Sequence, residues 1–351
     1  MKKPVVLLFE DTQSNADAIS KYLPESQAYS FHLFEADNEP TDQPFSDRIA
    51  QEIVKYGDIV LIVSDMDLSK TLKFQGLTDA IISRVAHDNG IPTAYYSSAL
   101  DGAEGASLDQ AGDGRILLGS INYEAIAHKI DILATGFLGL RESLKSLSSV
   151  PIEERPTSAA ELVAHLIGKR EVSDRIGLFL SGDQRIGAEV LASPKNNRLT
   201  HQTAIYGTWV YDSLMRYPGV FVNAVAASSY LNIALDDFLS SEISSVWNRA
   251  KYTGVFSDSR EVLFWREELD VMLAEQNCDD GFEFVQKQGL NAKTCKCSVD
   301  QESDAGFYCM VTKQPVCFEH SVGDISWFPP GADLARITRA SYEELAPWLG
   351  L

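Results

Sequence analysis

Apolar runs alternate with amphipathic stretches through the first 140 residues of the chain. Five runs have the length and near-continuous apolar character of buried strands: "VVLLFE" (5–10), "SFHLFEA" (30–36), "DIVLIVS" (58–64), "TAYYS" (93–97) and "RILLG" (115–119). Between them fall helical patterns at about 14–22, 46–56, 76–88 and 122–136. In the third of these, Ile81, Ile82, Val85 and Ala86 recur at helical spacing. Gly90 stops that helix and Pro92 opens the next strand. The segment from Ser97 to Gly114, rich in Gly, Asp and Ala, is only weakly periodic. Strands apolar on both faces, with helices between them, predict a parallel sheet covered on both sides. Five such strands predict an α/β fold of the flavodoxin-like, doubly wound kind.

The pattern changes after this. Residues 138–160 form a joint whose first half can extend the preceding helix and which Pro151 and Pro156 break. Ser158 and Glu161 have capping-box spacing and start a new helix. Further helical patterns lie at about 200–215, 222–231, 234–249 and 260–276, and "MRYPGVFVNAVAASSYLNI" (215–233) reads as a buried helix pair with a Pro-Gly turn. "RIGLFLSGDQRIG" (175–187) reads as a strand and turn. From about residue 290 the chain turns to short strands rich in Cys, Gly and Pro, and Ser341 with Glu344 is placed to cap a last helix. The expected organisation is a domain at 1–137, a linker at 138–160 and a mainly helical domain at 161–351, the last carrying a cysteine-containing β element at 290–325. No apolar stretch approaches the roughly 18 residues of a membrane span. The start "MKKPVVLLFEDTQ" lacks a small-residue cleavage site and meets acids at once, so it reads as a strand rather than a signal peptide, and the cytoplasm is the expected location.

Charge narrows the partners. The formal net charge is −20, and it is spread: residues 1–140 carry 21 acids against 10 bases, and the rest 29 against 20. Both halves would repel a phosphate backbone, which is bound by clustered Lys and Arg. A nucleic-acid-binding output is therefore not expected, and neither is a membrane partner.

Within this acidic chain one group stands apart. Glu10 and Asp11 end the first strand, and Asp65 ends the third. In the flavodoxin-like order these strands are neighbours, and ligands sit beyond their carboxyl ends. Three close, partly buried carboxylates repel one another, and a hard divalent cation such as Mg²⁺ resolves the conflict. A carboxylate facing that cation can act as a nucleophile toward a phosphoryl donor.

These residues resemble the receiver domain of two-component response regulators, over about residues 1–137. The resemblance rests on "LLFEDTQSNADAI", with the acid pair Glu10–Asp11 and Asn15, on "VSDMDL", with Asp65 and Asp67, and on "IPTAYYSSA", with Ser97 five residues after Pro92. It implies that Asp65 is the phospho-acceptor and that Ser97 contacts the phosphoryl group and shifts on activation. It further implies Mg²⁺ held by Glu10, Asp11, Asp65 and the backbone carbonyl of Asp67. There are departures. Receivers usually end the fifth strand with Lys then Pro, where this chain has Gly119 and Ser120, and Ile116 stands at the switch aromatic. The third strand is longer than usual and so is the loop from Asp65 to Gly76, in which Lys70 is a candidate substitute ammonium.

The five cysteines, Cys278, Cys295, Cys297, Cys309 and Cys317, all lie in the last quarter. That clustering favours metal binding or simple burial over a disulfide scaffold. Cys295, Cys297, Cys309 and Cys317 could close a tetrahedral zinc site, with His320 able to replace one of them. The spacing has a CxC and two singletons, and the segment also reads as a hairpin with its thiols buried as small apolar groups. His165, His201 and the aromatic residues Tyr206, Trp209, Tyr211, Trp247 and Trp265 fit core packing. The C-terminal half shows no Walker loop, GxSxG, HExxH or GGDEF-like sequence.

The reading that follows is an atypical response regulator, phosphorylated on Asp65 by a histidine kinase, whose output is protein binding or a phosphate sink. A receiver protein without an evident effector also resembles the buffering component of phage-defence two-component operons. Two other readings stay open: a pseudo-receiver that binds a partner and never takes phosphate, and a receiver-controlled enzyme with its active site in the C-terminal half.

Overall fold

The computed structural model describes residues 2–25, 28–35, 43–68, 70–96, 115–118, 122–183, 186–188 and 197–349. Ser97, Gly119 and Ser120 lie outside them. The chain divides into two compact units, one made of Met1–Arg155 and Arg185–Asp212, the other of Pro156–Gln184 and Ser213–Leu351.

In the first unit, β1 (Val5–Phe9), α1 (Gln13–Tyr22), β2 (Ser30–Leu33), α2 (Phe45–Tyr56), β3 (Ile59–Asp65), α3 (Asp79–Asp88), β4 (Thr93–Tyr96), β5 (Arg115–Leu117) and α4 (Tyr123–Ser146) follow in order. The strands form one sheet in the order β2-β1-β3-β4-β5. Every pairing is parallel. This is the doubly wound arrangement expected from the alternation of apolar runs and helices. Both faces of the sheet are covered, so every residue of β1 and β3 is buried. Val5, Leu7, Phe9, Ile59 and Ile62 share a core with Ile49 of α2 and Ile82 and Ala86 of α3.

The register of β3 carries a local irregularity. Val5 faces Ile59, but Val6 faces Leu61, so Val60 is an extra residue. A bulge of this kind shifts the side-chain alternation by one. Ile59 and Ile62, three apart, thereby reach the same core. Beyond the bulge Phe9 faces Ser64, so the next residues, Glu10 just past β1 and Asp65 at the end of β3, emerge as neighbours.

Helix α4 runs on to Ser146 through the first half of the joint, as its pattern allows, and short turns at Leu147–Ser149 and Ile152–Glu154 follow it. It is tied to the sheet by Arg141, which donates to both oxygens of Asp58 at 2.6 and 3.2 Å, and by Asp131, which accepts from the Tyr29 hydroxyl at 2.8 Å. The helix Arg198–Trp209 packs on α4 within the same unit. Gly207 permits this close approach: a Cβ there would lie 2.4 Å from the Phe137 ring and 2.9 Å from Leu140.

The second unit contains α5 (Ala159–Ile167) and α6 (Ser173–Ser181). Ser158 caps α5 as its spacing foretold, accepting from the Glu161 N–H at 3.1 Å, while the Glu161 carboxylate accepts from Thr157. The strand expected in "RIGLFLSGDQRIG" is instead helical through Ser181. Val172, Ile176 and Phe179 are buried while Leu178 is exposed, which is a helical stripe and not alternation. In place of the expected helix pair at 215–233, β6 (Phe221–Asn223) pairs antiparallel with β7 (Leu263–Trp265) ahead of the helix Ala224–Tyr230. Pairing brings the Phe221, Tyr252 and Trp265 rings together, with centroids 4.6 to 5.1 Å apart. The last quarter holds β8 (Phe307–Cys309), β9 (Pro315–Val316), β10 (Ser321–Val322) and β11 (Ala335–Thr338), in the order β10-β11-β8-β9. The final helix, Arg339–Leu349, starts before Ser341, and the Thr338 hydroxyl rather than Ser341 accepts the capping N–H, that of Ser341 itself, at 3.3 Å. Among the described residues no helix is long and apolar enough to cross a membrane.

Candidate functional site

The carboxyl ends of β1 and β3 bring Glu10, Asp11 and Asp65 into one crevice, all buried at 2, 8 and 4% exposure. Each is engaged. Glu10 Oε1 accepts from the Thr12 N–H at 2.9 Å and from Asn15 Nδ2 at 3.4 Å, and Oε2 accepts from the Tyr96 hydroxyl at 2.6 Å. Asp11 Oδ1 accepts from the Thr12 hydroxyl at 3.1 Å, and Oδ2 from the Thr71 N–H at 3.0 Å. Asp65 Oδ1 accepts from the Asp67 N–H at 3.0 Å, and Oδ2 pairs with Lys70 Nζ at 3.4 Å.

The turn after β3 therefore does two things. The Asp67 N–H fixes the orientation of Asp65, and the loop returns Lys70 and Thr71 to Asp65 and Asp11. Lys70 brings an ammonium to the crevice from this loop. Exposure of the two partners is unequal: the Lys70 side chain is 41% exposed and that of Asp65 5%.

Burial dominates the electrostatics. It pushes the Asp65 carboxyl above its ordinary range, and the Asp67 N–H and Lys70 only partly offset it while Asp11 adds to it. Burial likewise raises Glu10, against the hydrogen bonds from Tyr96 and Thr12 and with a further push from Asp65. Lys70 is raised because the carboxylates of Asp65, Glu10 and Asp67 outweigh its own desolvation. Tyr96 is held protonated by burial and by Glu10. The negative charge of the crevice exceeds what one ammonium compensates.

That excess fits a hard divalent cation. All the donors are oxygens, and the Thr71 hydroxyl is buried with no hydrogen-bond partner among the described residues. The three carboxylates do not form a group with ligand atoms mutually within 4.8 Å. Each carboxylate is instead engaged by protein donors, Glu10 by Thr12, Asn15 and Tyr96, Asp11 by Thr12 and Thr71, and Asp65 by Asp67 and Lys70. The arrangement suits Mg²⁺, which keeps several of its waters and reaches some ligands through them.

Tyr96 and Thr71 were not legible as site residues. Tyr96 reads as one more aromatic of a buried strand, and Thr71 contributes through its backbone. The Tyr123 hydroxyl holds its proton more tightly than usual, through burial and the charge of Glu10.

The cysteines separate. Cys297, Cys317 and His320 form a group whose ligand atoms lie within 4.8 Å of one another. Cys295 and Cys309 are buried but outside that group. Cys309 Sγ accepts the N–H groups of Thr312 and Thr338, both at 3.4 Å, and the Cys295 thiol is pushed up to about 11 by burial, with Ser228 hydrogen-bonding to it.

No family model and no curated protein matches the chain. A solved structure that resembles it is that of the Legionella pneumophila response regulator LqsR, at 17% identity and a TM-score of 0.29. The match covers 43% of this chain and 50% of that one, so it spans half the length of its counterpart. At that score the likeness is too slight to establish a shared fold.

Proposed function

We propose that the first unit is a phosphoryl-accepting receiver of an atypical response regulator. The observation that carries this reading is the position of Asp65: buried at the end of a central parallel strand, beside Glu10 and Asp11, with an ammonium on one oxygen. A phosphorylated histidine on a partner kinase is the donor. The Asp65 carboxylate attacks phosphorus, an acyl-phosphate bond forms, and the histidine nitrogen leaves with the electron pair of the broken P–N bond. Oδ1 is held by the Asp67 N–H, which leaves Oδ2 for the attack. Lys70 then stands beside the transferred phosphoryl oxygens. Asp11, Asp65 and the Asp67 carbonyl would hold Mg²⁺, with Glu10 acting through water. When bound, that ion would neutralise charge on the phosphoryl group. Ser97 would contact the same group. The output is protein binding or storage of phosphate, in keeping with the acidity of both halves.

A second reading is a binding module that never takes phosphate. It is favoured by the engagement of the acids in the crevice, Glu10 by Tyr96 and Asp65 by Lys70. Full-length protein incubated with acetyl phosphate and Mg²⁺, then weighed intact, separates the two. The receiver reading expects a gain of one phosphate that disappears in Asp65→Asn. Lys70→Ala removes a charge-assisted contact of about 1.5–3 kcal/mol in a buried setting. With Lys70 partly exposed, a slowing nearer tenfold is expected. A wild-type chain that gains nothing from acetyl phosphate or from phosphorylated histidine kinases, and shows no spectral change with beryllofluoride and Mg²⁺, overturns the receiver reading in favour of the second.

A further inference from the structure

A second group of chemistry-bearing side chains lies in the last quarter of the chain, independent of the acid crevice. Cys317 follows β9 directly, and His320 immediately precedes β10, so the two stand at either end of one tight turn. Cys297 comes from a separate turn, 297–304, closed by the Cys297 N–H to Ser303 and by the Gln301 N–H to the Cys297 carbonyl, both at 2.9 Å. The Cys317 N–H donates to Cys297 Sγ at 3.3 Å, which ties the two turns together. His320 Nδ1 then lies 3.2 Å from Cys317 Sγ and 3.9 Å from Cys297 Sγ.

These spacings can be compared with what a metal requires. A tetrahedral zinc ion with Zn–S of about 2.3 Å and Zn–N of about 2.05 Å puts its sulfur and nitrogen ligands roughly 3.6 Å apart. The two observed separations bracket that value. The burial is also suitable: Cys297 is fully buried and Cys317 nearly so, while His320 is partly open to solvent. Buried thiols that serve only as small apolar groups need not face an imidazole. Cys309 in the same small core faces backbone N–H groups instead.

A fourth donor is close to the imidazole. Asp300 Oδ2 is 3.4 Å from His320 Nδ1. Two nitrogen or oxygen ligands on a tetrahedral zinc stand roughly 3.3 Å apart. Asp300 is positioned by its own turn, since its Oδ1 accepts from the N–H groups of Glu302 and Ser303 and its Oδ2 from the Ser303 hydroxyl. It is outside the mutually close trio and stands on the His320 side of the group, so it would reach the ion only by turning its side chain toward the sulfurs.

We propose that Cys297, Cys317 and His320 bind one zinc ion, with Asp300 in the fourth position. Sulfur and imidazole donors select a borderline-soft ion of this type over Mg²⁺ or Ca²⁺. The site is a clasp. The strands it joins, β9 and β10, have two residues each and lie at opposite edges of their sheet, each paired on one side only, and the 297–304 turn has little regular structure of its own. An ion shared by the three segments supplies the cross-link that small, loop-rich elements otherwise lack.

The test is made on the reduced full-length chain. Protein purified without chelator should contain one equivalent of zinc by elemental mass spectrometry. Metal-free protein should take up Co²⁺ with the intense thiolate charge-transfer band and visible d–d bands of a tetrahedral site. His320→Ala, at a partly exposed position where folding is least at risk, should lose most of the zinc. Asp300→Ala should weaken binding by about tenfold or more. Cys295→Ser should retain the full equivalent. Removal of zinc by chelator should lower the melting temperature and open the amides of 297–304 and 315–322 to hydrogen exchange. The proposal is overturned if reduced wild-type protein takes up neither ion. It is also overturned if zinc survives the combined Cys297→Ser, Cys317→Ser change in a folded chain, or if the two thiols are found joined as a disulfide. The wild-type cobalt spectrum decides the matter even where the cysteine variants fail to fold.

Discussion

Asp65→Asn should stabilise the first unit, although Asp65 makes two polar contacts that look favourable. The carboxylate is almost fully buried at the end of β3, next to Glu10 at the end of β1. Adjacent strands are about 4.8 Å apart, so two carboxylates leaving them side by side stand roughly 6 Å apart. At an effective dielectric constant of about 20 that repulsion is about 3 kcal/mol. Against it stands the Lys70 ion pair, which with the lysine side chain 41% exposed contributes no more than about 1 kcal/mol. Asparagine removes the charge and keeps an oxygen to accept the Asp67 N–H. The net expectation is a gain of about 1–2 kcal/mol near pH 7.5, which at roughly 2–4 °C per kcal/mol for a unit of this size is a rise of about 2–8 °C.

The pH dependence fixes the cause. Burial raises Asp65 and Glu10 in the folded state. A carboxyl with a raised folded value contributes stability that is complete below its unfolded value and is lost as pH rises through the folded one. The wild type should therefore approach the variant in mild acid and fall behind it toward neutrality, so the difference in melting temperature widens with pH. Mg²⁺ should act on the wild type alone. At ten times its dissociation constant it adds about 1.4 kcal/mol, enough to close most of the gap at pH 7.5. Scanning calorimetry of both proteins at pH 5 and 7.5, with and without Mg²⁺, reads all of this. If Asp65→Asn is less stable at both pH values and Mg²⁺ shifts both proteins equally, Asp65 is a satisfied structural acceptor and the charge argument fails.

Two other outcomes bear on the same unit. Tyr96→Phe should cost about 1–3 kcal/mol in urea melts, because a buried carboxylate loses its shortest donor, and the loss should shrink when Glu10→Gln is present as well; equal losses in both backgrounds would show that the hydroxyl does not act through Glu10. Gly207→Ala should destabilise by about 1–2 kcal/mol, since the overpacking against Phe137 and Leu140 exceeds the roughly 1 kcal/mol gained in helix propensity; a stability equal to or above wild type would mean that α4 and the helix Arg198–Trp209 separate easily.

How far the chain could be read from its sequence depended on the period of each segment. Strands β1, β3 and β4 were legible as apolar runs because each is buried along its whole length, while β2, only half-buried, showed by its place in the alternation with helices and the strand order by the fold class that alternation implies. Short segments were misread where burial was one-sided or the element was too brief for a period to show. The run 175–181 looks like a strand because Ile176, Leu178 and Leu180 alternate, yet the buried set is Val172, Ile176 and Phe179. The strand Phe221–Asn223 hides at the front of a helical pattern because three residues cannot display alternation.

The acid crevice and the thiol group differ in the same way, and the difference explains why one was legible and the other only partly so. Glu10, Asp11 and Asp65 are brought together by strand order, and strand order follows from the apolar pattern. Even the bulge at Val60 preserves the outcome: Phe9 pairs with Ser64, so the acids still emerge together. What the pattern could not give is the return of the loop, which places Thr71 on Asp11 and Lys70 on Asp65. The thiol group depends wholly on such returns. Cys297 meets Cys317 through a backbone N–H, and His320 is drawn in by a tight turn, so neither contact has a periodic signature. Counting cysteines therefore proposed four thiolates, with His320 able to replace one, while the turns bring together only Cys297, Cys317 and His320. Sequence spacing finds ligands where regular elements carry them, and where turns carry them only the geometry of the turns can choose.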